Sequence, residues 1–298
     1  MDIIAISDIY SDMHTIQEFI LLTSQITGKK PIIIVTGDIG IRTTSTHYTQ
    51  DTKNIIDSLS KISSQILYVP GDSDNKQLDI STSNAKNLDG QNCIIDDGEV
   101  KIGLLGLGGA PAHSMRSTDL SPYLWDESVP IVAENLLSEL KINIAKIAQE
   151  RPDYMVLITH SPPYGIADRS KPITLQEMLV LEDVLEELKG EVKLETKEQP
   201  KKTPSSIRHL GSRVLSNFVK YYKPDIHIFG HVHKEGGKTR IQEATRFFNV
   251  SHLSTHPYKL TGRKFLHLSI TKETIRVTFD HTVMERNLSF VEFVEKYL

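Results

Sequence analysis

Five short apolar runs, rich in isoleucine and valine, each end at an aspartate or a histidine. Ile3-Ile4-Ala5-Ile6-Ser7 leads into Asp8, and residues 31–36 lead into Gly37-Asp38. Residues 66–70 lead into Gly71-Asp72-Ser73-Asp74, residues 154–159 into His160, and residues 225–229 into Gly230-His231-Val232-His233. Nearly continuous β-branched runs fit strands covered on both faces. In open α/β sheets, ligands bind beyond the carboxyl ends of the strands. Asp8, Asp38, Asp72, His160, His231 and His233 are therefore expected on one rim. A single strand-end aspartate is commonly a cap for the next helix, and two histidines at i, i+2 are a weak signal. Five coordinated strand ends are hard to explain that way. Three carboxylates and three imidazoles could together hold two metal ions, and imidazole suits zinc, iron and nickel.

The rest of the chain gives this rim a setting. Residues 15–22 have helical periodicity, with Gly28 able to end it. Ile55, Ile56, Leu59 and Ile62 share a helix face, and residues 128–150 form a long helical pattern that ends before Pro152. Residues 92–106 read as two strands around the turn Asp96-Asp97-Gly98. After residue 245 the pattern turns to strands, at 247–250, 264–270 and 274–279. An α/β half followed by a β half predicts two stacked sheets flanked by helices. Two segments stand apart. Residues 110–127 read as a long loop, a common place for a functional lid. Residues 170–206 form a charged insertion, with an acidic helical pattern at 175–188 followed by a Lys/Glu/Pro-rich stretch. The expected organisation is one domain over 1–298 that carries this insertion.

Charge and cysteine content exclude several classes. The formal net charge is −4, which disfavours extended nucleic-acid binding because that needs a basic footprint. With one cysteine, Cys93, no internal disulfide can form, and a reducing cytoplasm is the expected setting. Cys93 reads as a small core residue. No apolar run approaches the ~20 residues of a membrane helix. Gly106-Leu107-Gly108-Gly109 lacks the spacing of a dinucleotide fingerprint.

The order Asp-x-x, Gly-Asp, Gly-(Asn/Asp)-x-Asp, His, Gly-His-x-His resembles the calcineurin-like metallophosphoesterase superfamily. So do Gly106-Leu107-Gly108-Gly109, Thr159-His160-Ser161-Pro162-Pro163-Tyr164-Gly165 and Arg208-His209-Leu210-Gly211-Ser212. The resemblance covers residues 1 to about 255. It is strongest for the archaeal and bacterial branch of predicted phosphoesterases related to cyclic-nucleotide phosphodiesterases. It implies a four-layer α/β/β/α sandwich of two stacked mixed sheets. It also implies phosphoester hydrolysis by a metal-bound hydroxide at a binuclear site. Residue by residue, it puts Asp8, Asp38 and His233 on one metal, and Asp38, Asp72, His160 and His231 on the other. Asp38 is the expected bridge. Asp74 and His209 are the expected catalytic residues, Asp74 also as a group that orients a ligand imidazole; His209 matches a His-x-Gly-Ser element, and Asn249 matches a residue that closes the rim.

Three positions depart from the family pattern. The usual Asp-x-His is Asp8-Ile9-Tyr10, so a phenol stands in place of an imidazole; either Tyr10 or the later Asp12-Met13-His14 could supply the substitute ligand. The usual Asn is Asp72, which adds a negative charge. The next residue, often a protonating His, is Ser73, which has no accessible proton at neutral pH. Manganese or iron is the expected metal pair, with zinc, nickel or cobalt also compatible. A Tyr10 phenolate would suit an Fe(III)/M(II) pair through its hard oxygen. The expected activity is hydrolysis of a phosphodiester, the substrate being a phosphoester such as a nucleotide; the contrasting class is a non-catalytic metal-binding scaffold or ligand sensor. His113 is a candidate substrate contact, whereas His252, His256, His267 and His281 are expected to be structural. Oligomeric state is left open.

Overall fold

The computed structural model describes residues 1–40, 48–76, 78, 80, 84–112, 123–170, 208–253 and 265–279. Residues 171–206 of the charged insertion, His113, His256 and His281 lie outside the described residues. Two six-stranded sheets organise the described chain. The first runs β16 (Ile275–Phe279), β15 (Leu266–Ile270), β1 (Asp2–Ile6), β2 (Ile32–Val35), β3 (Gln65–Tyr68), β4 (Ala85–Asn87). The second runs β13 (Thr239–Gln242), β14 (Thr245–Asn249), β12 (Ile226–Phe229), β9 (Tyr154–Thr159), β6 (Lys101–Leu107), β5 (Asn92–Asp96). Strands β1 to β4 are parallel, as are β14, β12, β9 and β6. Antiparallel partners complete each sheet. The hairpin expected around Asp96-Asp97-Gly98 is the β5–β6 pair, and Asp97 Oδ1 accepts from the Glu99 and Val100 amides.

Side-chain alternation along these strands sorts the core into three layers. Ile3 and Ala5 of β1 and Ile32 and Ile34 of β2 face Val156 and Ile158 of β9 and Ile226 and Ile228 of β12, forming the dry layer between the sheets. Cys93 packs against this layer, partly buried. Ile4, Ile6, Ile33 and Val35 point the other way. They meet Ile16 and Phe19 of α1 (Met13–Ile26) and Ile55, Ile56 and Leu59 of α2 (Tyr48–Ser60). On the far side of the second sheet, Leu105, Leu157 and Phe229 pack on Leu140 and Ile144 of α3 (Pro130–Gln149). Leu215 and Phe218 of α4 (Arg213–Tyr222) complete that face. The result is the α/β/β/α sandwich of two mixed sheets. Each fully buried aliphatic side chain here contributes roughly 1.5–3 kcal/mol relative to exposure. Among the described residues, no helix is long and apolar enough to cross a membrane.

Local chemistry fixes where the helices begin. Asp12 accepts from the Thr15 amide at 2.9 Å and caps α1, and Ser212 accepts from the Leu215 amide at 3.0 Å and caps α4. The segment expected as a long loop, 110–127, carries two short strands, β7 (Ala110–Pro111) and β8 (Leu124–Trp125), which pair in parallel. Two residues per strand leave no periodic signature for a sequence to display.

His227 is fully buried in the middle of β12, between Phe229 and Phe247. Thr159 Oγ donates to the Ser161 carbonyl at 2.6 Å, so it accepts from His227 Nε2 at 2.8 Å. Burial pushes the imidazole down to about 3, so it is neutral in the folded chain, while in the unfolded chain it titrates near 6.5. Its contribution to stability is complete above pH 6.5 and is lost as pH falls toward the folded value. Between pH 7 and pH 5 this costs about 2 kcal/mol. His227→Gln keeps a donor for Thr159 and does not titrate, so urea unfolding should show it losing about that much less stability over the interval. Parallel losses in the two proteins would contradict the neutral buried imidazole.

Candidate metal centre

The two sheets contribute different chemistry to the place where their carboxyl edges meet. Asp8, Asp38 and Asp72 follow β1, β2 and β3 of the first sheet, and His160, His231 and His233 follow β9 and β12 of the second. Backbone bonds hold the edges together. Asp8 N donates to Gly37 O at 3.0 Å, Gly230 N to His160 O at 2.9 Å, and Leu253 N to Ser7 O at 2.9 Å. The turns are sharp: Asp8, Asp38 and His231 have φ of 56°, 51° and 69°, a sparsely populated region that recurs at functional sites. The glycines before Asp38 and His231 answer to close approach. A Cβ on Gly37, itself at φ +98°, would lie 2.6 Å from His160 Nδ1, and one on Gly230 would lie 2.8 Å from Asp8 Oδ2.

Asp72 Oδ1 is shared by two imidazoles, 2.9 Å from His160 Nε2 and 3.0 Å from His231 Nδ1. His160 Nδ1 donates to the Thr36 carbonyl at 2.7 Å, which turns Nε2 toward the carboxylates. Such an outer hydrogen bond fixes the tautomer of a ligand imidazole. On the other side, His233 Nε2 is 3.1 Å from Asp8 Oδ1 and 3.0 Å from Tyr10 Oη. Asp38 spans the two halves. Its Oδ1 lies 3.6 Å from His160 Nε2, and its Oδ2 accepts from Tyr10 Oη at 2.7 Å. The ligand atoms of Asp72, His160 and His231 all lie within 4.8 Å of one another, and so do those of Asp8, Asp38 and His160. This donor set fits cations, because three buried carboxylates facing one another need positive charge between them.

The electrostatics show the same tension. Burial raises the Asp38 carboxyl, and Asp72, Asp8 and Asp74 add to this against the pull of His160, leaving it at about 7. Burial opposes ionisation of Asp8 and Asp72 too, but His233 and His160 bring the first well below its usual range, and His231 and His160 do so for the second. Burial works against a charged His160, yet Asp38, Asp72 and Asp8 push it up to about 10. Burial and then Asp38, Asp8 and Asp72 hold the Tyr10 phenol well above its ordinary value.

Of the other candidates, His14 lies on the first turn of α1, with 51% of its side chain exposed and Glu18 at 3.8 Å. Asp12 is occupied as the helix cap, so this local Asp-x-His is helix chemistry and not a ligand pair. Ser73 serves Asp38, its amide donating at 2.9 Å and its hydroxyl at 3.2 Å. Asn249 is buried, and its Nδ2 donates to the Ala167 and Val232 carbonyls, which closes the rim behind the His231–His233 turn. His267 pairs with Asp2 across the β1–β15 ladder at 3.0 Å. His252, expected only as structural, places its ring 4.7 Å from that of His233. Sequence reasoning missed Thr36, whose carbonyl carries no motif, and Asp168, buried at 0% exposure, which accepts from His209 Nδ1 at 2.9 Å.

For Asp74 the sequence predicts proton handling or the orienting of an imidazole. Its carboxylate accepts from the amides of Gly71 at 2.8 Å and of Ile39 and Gly40 at 3.1 Å each. That favours a positioning role, tying the turn that carries Asp72 to the turn that carries Asp38. Asp74→Ala would strand three buried donors. It should lower stability by about 3 kcal/mol in urea unfolding and weaken metal retention. A variant of wild-type stability that lost turnover alone would return Asp74 to the proton-handling role.

The profile of the calcineurin-like phosphoesterase family matches residues 1–235. Among curated proteins the chain has no match. One solved structure superposes with a TM-score of 0.59 at 15% identity, covering 94% of this chain and 98% of its own. The protein TT1561 of Thermus thermophilus superposes with a TM-score of 0.57 at 13% identity, over 94% of this chain and 98% of its own. Both are likenesses of fold. With the profile spanning most of its length and the donor residues gathered at one sheet seam, the chain belongs to the calcineurin-like phosphoesterase family of metal-dependent phosphoester hydrolases.

Proposed function

We propose that the chain hydrolyses phosphodiesters at a binuclear metal centre. The observation that carries this reading is the span of Asp38, whose two carboxylate oxygens face opposite halves of the cluster. Asp8, Asp38 and His233 would hold one cation, and Asp38, Asp72, His160 and His231 the other. Two divalent cations in that place would lower the pKa of a bound water and clamp the attacking and leaving oxygens of a phosphoryl displacement. The chain's own contribution is to hold these donors rigid through Thr36, Asp74 and Asn249. The charge of the centre supports the preference for diesters, and Ser73 is spent on orienting Asp38. The four charges of two divalent cations are nearly balanced by the three carboxylates, a centre better matched to a diester monoanion. A nucleotide-type phosphoester is the substrate class, and manganese or iron the metal pair, with zinc, nickel or cobalt compatible.

Metal content and turnover together test this reading. The protein loaded with manganese should hold two equivalents and cleave bis(p-nitrophenyl) phosphate faster than p-nitrophenyl phosphate. Asp38→Asn should hold at most one equivalent and lose turnover. Two bound metals with no turnover of either ester by the wild-type protein would favour the scaffold or sensor class instead.

Tyr10 is assigned to the cation shared by Asp8, Asp38 and His233, because its oxygen already sits between Asp38 and His233. A trivalent cation would reverse the anionic field that keeps the phenol protonated. Protein loaded with iron in air should then be pink to purple through phenolate-to-metal charge transfer, and Tyr10→Phe should lose the colour and keep the fold. Colourless iron-loaded protein, or a Tyr10→Phe variant with unchanged metal content, would remove Tyr10 from the ligand set.

A further inference from the structure

We infer that His209, held by Asp168, is the proton donor to the leaving oxygen, in the role that Ser73 cannot fill. This rests on the phosphodiester reading above. His209 Nδ1 lies 2.9 and 3.0 Å from the two carboxylate oxygens of Asp168. A carboxylate only accepts, so the Nδ1 proton is committed to Asp168, and the ring presents Nε2 outward. The Asp168 carboxylate is itself fixed by the Gly165 amide at 2.8 Å. Tyr164 covers one face of the imidazole at 4.9 Å, and the Arg213 guanidinium covers Tyr164 at 4.3 Å. The ring is therefore clamped on one edge and one face. Yet its side chain remains 32% exposed, and no hydrogen-bond partner for Nε2 occurs among the described residues. That nitrogen is open to solvent and to a substrate oxygen.

The frame of the pair reaches the turn that carries His231 and His233. His209 lies on β11 (Arg208–His209), opposite Arg169 of β10 (Arg169–Ser170), and β10 packs against the 3-10 turn His233–Glu235. The carbonyl of Ala167, next to Asp168, shares the Asn249 Nδ2 donor with Val232, the residue between His231 and His233. One buried amide thus couples the frame of the dyad to the turn bearing two ligand-type imidazoles. In the reaction, an attacking oxygen forms a bond to phosphorus as the bond from phosphorus to the leaving oxygen breaks. The electron pair of the broken bond goes to the leaving oxygen, which takes the Nε2 proton of the imidazolium. Asp168 keeps the Nδ1 proton throughout, so the ring holds its orientation and Nε2 is the position that gives up the proton. The proton shed by the attacking water returns to Nε2 through solvent.

An acid for the leaving group matters in proportion to how poor that group is. The experiment uses manganese-loaded wild type, His209→Gln and Asp168→Asn on methyl aryl phosphates, from the p-nitrophenyl to the unsubstituted phenyl ester. On the p-nitrophenyl ester all three should differ little. On the phenyl ester kcat of His209→Gln should fall about 100-fold, with KM and metal content unchanged, and Asp168→Asn should fall in the same direction. The rate of wild type should thus decline less steeply along the series than that of either variant. Equal losses on every ester, or no loss on the phenyl ester, would overturn the role of His209 and leave the phosphodiester reading standing. No turnover of the p-nitrophenyl ester by wild type would overturn both.

Discussion

The facing of three buried carboxylates by three imidazoles across two sheet edges is the constraint on which the candidate site depends. One edge supplies three carboxylates and the other three imidazoles, and neither alone offers a complete coordination set. The apolar layer between the sheets brings these edges within reach, since Ile3, Ala5, Ile32 and Ile34 pack on Val156, Ile158, Ile226 and Ile228 directly beneath them. Hydrogen bonds then fix the approach, with His160 Nδ1 on the Thr36 carbonyl and the Leu253 amide on the Ser7 carbonyl. The glycines of Gly-Asp and Gly-His belong to the same constraint, because a Cβ at Gly37 or Gly230 would press on a donor residue of the opposite sheet or the neighbouring strand end.

Much of this is legible in the chain. Runs of isoleucine and valine ending at Asp or His locate five strands and all six donor positions, because parallel strands covered on both faces leave both an apolar run and a functional carboxyl end. What spacing cannot carry is the division of labour between sheets. Linear order does not say that β3 and β9 lie in different sheets, so it predicts one rim where the structure has a seam. Asp12-Met13-His14 shows the opposite failure. Its Asp-x-His spacing is that of a ligand pair, but the capping bond from the Thr15 amide to Asp12 starts α1 and turns His14 toward solvent. Asp168 gives no signal because a buried aspartate in a loop looks like any other until its partner, some forty residues on, is known.

The departures from the family pattern form one physical picture. Replacing an amide by Asp72 adds negative charge, and that charge is taken up by two imidazoles on a single carboxylate oxygen. Ser73 gives its amide and hydroxyl to Asp38, which fixes the carboxylate on which both halves rely. The work of protonation then passes to a group outside the cluster. The Asp168–His209 pair stands there, linked through Asn249 to the turn of His231 and His233. On the proposed reading, charge neutralisation, donor rigidity and proton supply fall to separate residues, so substitutions at each should have different signatures.

Anomalous diffraction from crystals of the manganese-loaded protein gives the most direct view of the seam. Two peaks are predicted there. One should be bounded by Asp38, Asp72, His160 and His231, and the other by Asp8, Asp38 and His233, with Asp38 touching both. A single peak with Asp38 bound on one side only, or metal at any place away from the junction of the two sheets, would contradict the binuclear centre.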